Sequence, residues 1–135
     1  MLCHGAWHGG WCWRDVASAL RVRGAEVFTP TMTGLGEREH LRDACKGLLT
    51  YIDDVRGVIG AEQLTDIILV GHSFGGMCIT GVADRMPDRV RHMVYLDAAV
   101  PRDGQSLITQ SIANPAEANG ATQAHLEGKR DCIAR

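Results

Sequence analysis

The chain has 135 residues, room for one domain and not for two full ones. With 22% charged residues and a net charge of −2, it lacks the basic footprint of a nucleic-acid binder and any polybasic membrane patch. No apolar run approaches the ~20 residues that cross a bilayer, and the first residues lack the basic start and apolar stretch of a signal peptide, so a cytosolic location is expected.

Short apolar runs alternate with amphipathic ones, which predicts βαβ units and a mostly parallel sheet flanked by helices. Met1 to Cys3 reads as the end of a strand and His4 to Trp11 as a Gly-rich loop. A helix is predicted over Trp13 to Arg23, with Val16, Ala17 and Leu20 at helical spacing and Gly24 as its stop. Ala25 to Thr29 is predicted as a short strand ended by Pro30, and Thr31 to Arg38 as a loop. A second helix is expected from Leu48 to Gly60, with Leu48, Ile52, Val55 and Ile59 on one face. Asp66 to Val70 is the clearest strand, apolar on both faces as a central parallel strand is.

A third helix is predicted from Phe74 to Met86, stopped by Pro87, then a strand from Val90 to Leu96 with Met93 to Leu96 as its buried end. Residues 1–103 are read as the N-terminal part of the core. Residues 104–135 turn polar and read as the start of a cap or a disordered tail, with a weakly amphipathic helix after Asn114-Pro115.

The cysteines Cys3, Cys12, Cys45, Cys78 and Cys132 are odd in number, irregularly spaced and free of any Cys-x-x-Cys, so reduced thiols are expected. Cys3, His4, His8 and Cys12 have metal-ligand chemistry. Gly5, Gly9 and Gly10 interrupt any helix that would align them, and the spacing fits no zinc pattern, so no metal is expected.

Gly71-His72-Ser73-Phe74-Gly75, between an apolar strand and a helix, reads as a nucleophile elbow. A serine hydroxyl is a poor nucleophile unless held where a base reaches it, and a sharp strand-to-helix turn lifts it above the sheet. Gly71 and Gly75 are expected where a side chain would collide across the turn. Gly76 and Gly81 are expected to let the following helix lie against the sheet. The helix start aims free N–H groups at the site, so the Phe74 N–H is the expected first oxyanion donor. The loop His4 to Trp11 supplies the expected second donor at Ala6, while Trp7, Trp11 and Trp13 are expected to pack beneath it.

The segments His4-Gly5-Ala6-Trp7-His8-Gly9-Gly10-Trp11, Thr33-Gly34-Leu35-Gly36-Glu37-Arg38, Gly71 to Gly76 and Val94-Tyr95-Leu96-Asp97-Ala98-Ala99-Val100-Pro101 resemble the plant methylesterase/hydroxynitrile lyase branch of the α/β-hydrolase superfamily. Bacterial carboxylesterases and pyrethroid hydrolases are the members nearest in style. The resemblance covers Leu2 to Leu107. It implies a partial α/β-hydrolase fold truncated at both ends, and serine-dependent hydrolysis of a small-molecule ester with no cofactor. Ser73 carries over as nucleophile, with Ala6 and Phe74 as backbone oxyanion donors. Lyases of the branch alter the His-Gly pair of the first loop, so Gly5 implies hydrolysis over cyanohydrin cleavage. The alternatives are a non-catalytic ligand-binding module on the same fold and, as a lesser one, a hydroxynitrile lyase-like enzyme of the same branch.

The triad of this fold runs Ser, acid, His along the chain. After Ser73 come only His92, inside a predicted strand, and His125, which follows no apolar strand. His72 is expected to leave the turn away from the site, and Asp97 to cap a loop. The triad acid and base are therefore expected outside this chain, and the chain by itself is expected to be inactive. Substrate identity and oligomeric state are not legible.

Overall fold

The computed structural model describes residues 1–107. The expected helix after Asn114-Pro115, His125 and the rest of the 104–135 segment lie outside the described residues, apart from 104–107.

Three strands form a parallel sheet in the order β1 (Leu2–Cys3), β2 (Ile67–Ser73), β3 (Val90–Ala98). Leu2 pairs with Val70, and Val70 with Val94, so β2 is central. The helices are α1 (Arg14–Val22), α2 (Leu48–Ala61) and α3 (Gly75–Arg85). Short 3-10 turns cover Gly10–Trp13, Gly36–Ala44 and Pro87–Arg89.

One face of the sheet carries the main core. Cys3, Ile67 and Leu69 pack there against Tyr51, Ile52, Val55 and Ile59 of α2 and Met77, Cys78, Ile79 and Val82 of α3. The predicted α2 stripe is present, because residues three and four apart share a helix face. The other face carries a smaller cluster, Leu2, Trp13, Ala17 and Val27, with Leu20 and Val70 against it.

Four expectations need correction. The stretch predicted as a strand at Ala25 to Thr29 forms no ladder, and its link to β1 is the Leu2 N–H donating to the Phe28 carbonyl at 2.8 Å. With only two residues in β1, the ladder has almost nothing to extend along. Val16 is exposed: the buried stripe of α1 runs Trp13, Ala17, Leu20, and Val16 sits one helical step of ~100° off it.

β2 is not buried on both faces. Ile68 is 49% exposed, and Val94 and Leu96 on β3, which share its face by register, are 43% and 49% exposed. The α1 cluster reaches Leu2 and Val70 and stops short of that part of the sheet. Finally, Cys3, Cys12 and Cys78 are free thiols as expected, but Cys45 is disulfide-bonded.

Candidate active site

The elbow forms because close packing leaves no alternative. A Cβ on Gly71 would stand 2.6 Å from the Gly75 carbonyl oxygen, and one on Gly75 would stand 2.6 Å from the Cys3 carbonyl oxygen. Both contacts are shorter than carbon and oxygen tolerate, so only glycine lets the turn close against β1. Gly76 likewise presses on Ala98 and Ala99 of the β3 end, but Gly81 faces Ile52 of α2 and not the sheet. The fourth glycine thus serves helix-to-helix packing, correcting the expected role.

Ser73 ends β2 with φ 52°, the left-handed region that costs a non-glycine residue of order 1 kcal/mol or more. α3 starts two residues later, with Phe74 in the position before its first turn. Phe74 is buried and meets Tyr51 edge-to-face at a ring separation of 5.5 Å. The loop after β1 comes to the same point, for a Cβ on Gly5 would stand 3.1 Å from the Ser73 Cβ and 3.1 Å from His72 Nδ1. Ser73, Phe74 and the residue before Ala6 are thereby brought together. Among the described residues, neither the Ala6 N–H nor the Phe74 N–H donates to a backbone or side-chain acceptor, and the Ser73 hydroxyl has no partner.

Both ends of this loop are fastened to residues 31–32. His4 is fully buried; its Nδ1–H donates to the Gly5 carbonyl at 2.7 Å, and its Nε2 accepts from the Met32 N–H at 3.1 Å. A ring that donates at Nδ1 and accepts at Nε2 is neutral, and burial holds its pKa below the usual imidazole value. The Gly10 N–H donates to Thr31 Oγ1 at 2.7 Å, and the hydrogen bond between Thr31 and Glu37 holds the Glu37 carboxyl below its usual pKa. Between these anchors the His8 Nδ1–H donates to the Ala6 carbonyl at 2.8 Å. His4 and His8 thus act as loop braces. Their rings are occupied by the backbone, and no group of three or more potential metal ligands occurs among the described residues.

The tryptophans divide. Trp13 is buried and its ring meets His72 edge-on at 6.3 Å, so His72 does turn away from Ser73 toward α1. Trp7 and Trp11 are 39% and 52% exposed and do not pack beneath the loop. The Trp11 ring instead leans against the His8 ring, with centroids 5.8 Å apart. Buried Cys3, its thiol pushed up to about 12 by desolvation, and buried Cys78, raised for the same reason, are packing groups and not nucleophiles.

Asp97 caps no loop. It is exposed, has φ 45°, and occupies the register break where Leu96 pairs with His72 but Ala98 pairs with Ser73. A carboxylate on a bulge points where pairing ends, and no described group hydrogen-bonds to it. His92 lies at the far end of β3, opposite Ile68, exposed and bonded to the Arg91 carbonyl. Among the described residues, no imidazole or carboxylate is hydrogen-bonded to Ser73. A cavity of about 420 Å³ lined by Leu2, Phe28, Leu64, Ile67 and Ile68 is at the N-terminal end of β2, away from this site.

A parallel sheet with a glycine-bounded serine turn between its central strand and the next helix defines the α/β-hydrolase class. The chain belongs to the alpha/beta hydrolase family, whose model matches residues 1–132. Its relatives there are carboxylesterases and plant methylesterases. It is 60% identical over 108 residues to a carbendazim-hydrolyzing esterase of Nocardioides sp. (strain SG-4G), a match covering 80% of this chain and 45% of that one. It is 34% identical over 108 residues to methylesterase 7 of Arabidopsis thaliana, covering 75% of this chain and 40% of that one. Among solved structures, it superposes with a TM-score of 0.72 and 38% identity on an extracellular α/β-hydrolase from a Paenibacillus species, covering 78% of this chain and 42% of the other; that protein is described as sharing structural and functional homology with tobacco salicylic acid binding protein 2. The chain thus spans less than half the length of the relatives it matches.

Proposed function

We propose that this chain carries the nucleophile half of a serine carboxylester hydrolase acting on a small-molecule ester. The observation that carries this is Ser73, held at φ 52° on a strand-to-helix turn with unpartnered N–H groups at Phe74 and Ala6. A fold alone does not set an activity, but this turn supplies what acyl transfer needs. Ser73 Oγ attacks the acyl carbonyl and gives its proton to a base. The carbonyl electrons collect on oxygen, where the Phe74 and Ala6 N–H groups receive them. The alcohol leaves with the base's proton, and water attacks the acyl-serine by the same route in reverse. One such donor is worth about 3 kcal/mol of transition-state stabilisation.

The base and acid belong, on this reading, to polypeptide outside these 135 residues, and the 135-residue chain by itself turns over little or no ester. The test is a hybrid enzyme in which this chain replaces the matching segment of the Nocardioides esterase. The hybrid hydrolyses p-nitrophenyl acetate, and Ser73→Ala abolishes that turnover. Unchanged turnover in the Ser73→Ala hybrid contradicts the nucleophile assignment. Robust Ser73-dependent turnover by the pure 135-residue chain contradicts the placement of base and acid.

A further inference from the structure

The loop carrying Ala6 is fastened at His4 and at Gly10, and both fastenings end on Thr31 and Met32. What holds Thr31 and Met32 in place therefore holds the loop. Leu35 N–H donates to the Met32 carbonyl at 3.1 Å, and Arg38 Nη1 donates to the Thr31 carbonyl at 2.8 Å. The next residue, Thr33, is gripped from α2. Its N–H donates to Asp54 Oδ2 at 2.6 Å and its hydroxyl donates to Asp54 Oδ1 at 2.8 Å. Arg38 closes the set, with Nη1 3.2 Å from Asp54 Oδ1 and Nη2 donating to Thr33 Oγ1 at 3.0 Å.

Two features mark Asp54 as more than a surface ion-pair partner. Its side chain is only 12% exposed, and both carboxylate oxygens accept, one from a backbone N–H and the other from a hydroxyl and a guanidinium. The network is part-buried, and side-chain networks rigidify the backbone they join when their members are satisfied. The contacts also form one unbroken chain: Asp54 to Thr33 and Arg38, these to Thr31 and Met32, and these to Gly10 and His4. His4 then fixes the Gly5 carbonyl, which belongs to the same planar peptide group as the Ala6 N–H.

We infer that Asp54 is a positioning residue for the oxyanion loop: through Thr33 and Arg38 it sets the residues that clasp the loop's two ends. The inference rests on reading the Ala6 N–H as an oxyanion donor. Asparagine at 54 keeps the size and one acceptor but removes the charge and turns a donor toward Arg38 or Thr33.

The experiment records ¹⁵N-detected histidine side-chain spectra and backbone amide spectra of the 135-residue chain and its Asp54→Asn variant. In the parent chain His4 is locked as the neutral Nδ1–H tautomer. In Asp54→Asn, the Met32 N–H contact loosens, His4 moves to a mixture containing the Nε2–H form, and the Ala6 amide signal shifts. Arg38→Lys, which keeps the charge but cannot span Thr31, Thr33 and Asp54 together, gives the same change to a smaller degree and serves if Asp54→Asn does not fold. A folded, merely less stable variant with unchanged His4 tautomer and Ala6 amide overturns the inference. In the hybrid enzyme, Asp54→Asn lowers kcat about tenfold or more at nearly constant KM, as a displaced catalytic donor does. Moved His4 signals with unchanged kcat would leave Asp54's hold on the loop standing and remove the oxyanion reading of Ala6.

Discussion

The backbone N–H of Ala99 donates to the carbonyl of Ser73 at 3.0 Å, tying the elbow to β3 just past the bulge at Asp97. This bond helps to hold Ser73 at φ 52°, a conformation its side chain disfavours. Strain at one residue persists where its surroundings over-determine it, and Gly71, Gly75 and Ala99 do that here.

Ser73→Gly should therefore stabilise the fold while deleting the hydroxyl, because glycine adopts positive φ without penalty. The expected gain is about 1 kcal/mol, reduced by the added freedom of the unfolded glycine. Ser73→Ala keeps the Cβ and should show no such gain. Chemical denaturation of the three chains measures the difference.

Gly75→Ala should be severely destabilising. Its new methyl would meet the Cys3 carbonyl oxygen at 2.6 Å and that of His4 at 2.9 Å, both backbone atoms that cannot step aside. Overpacking of this kind costs about 1–3 kcal/mol or more, with β1 pushed off the elbow. Thermal unfolding should show it, whereas Gly57→Ala on α2, which has nothing within 4 Å of its Cβ, should be tolerated.

His4 sets a pH dependence whose sign is fixed by its burial. Desolvation, the largest influence, lowers its folded pKa below the ordinary 6.5, outweighing the favourable Gly5 hydrogen bond and the more distant Glu37 and Asp54 carboxylates; His8 adds to the lowering. The unfolded chain then binds the proton more readily, so this contribution is complete above pH 6.5 and is lost as pH falls below it. Protonation also puts an N–H where Met32 N–H already points. Denaturation midpoints should drop from pH 7.5 to pH 5, and His4→Gln, less stable at pH 7.5, should show a flatter profile.

Phe74→Ala should cost about 3–5 kcal/mol, since it opens a cavity under the elbow and removes the Tyr51 ring contact. Tyr95→Phe should cost only about 1 kcal/mol. It removes the hydroxyl bonded to Thr80 Oγ1 at 2.7 Å but leaves that threonine bonded to the Gly76 carbonyl. Urea denaturation separates the two magnitudes.

The elbow was legible because its signal is local: an apolar strand, two glycines and a helix lie within about twenty residues. α2 was legible from its stripe. The strand expected at Ala25 to Thr29 failed because a ladder needs a partner, and local composition does not report one. Burial of Ile68, Val94 and Leu96 was over-read for the same reason, since an apolar run does not say what covers it. The loop's fastenings at His4 and Gly10 were invisible because they join residues 28 and 21 positions apart. Asp54 did leave a trace. It lies beside the α2 stripe, between Tyr51 and Val55, where a carboxylate needs partners.

The central claim is that Ser73 is the nucleophile of an acyl transfer. Its most direct test is a fluorophosphonate probe applied to the folded hybrid enzyme, with the modified residue located by peptide mass spectrometry. The adduct should sit on Ser73 and be absent from the Ser73→Ala hybrid, which should unfold at a temperature close to its parent's. An adduct on another residue, or a hydrolytically active hybrid whose Ser73 stays unmodified, would contradict the account.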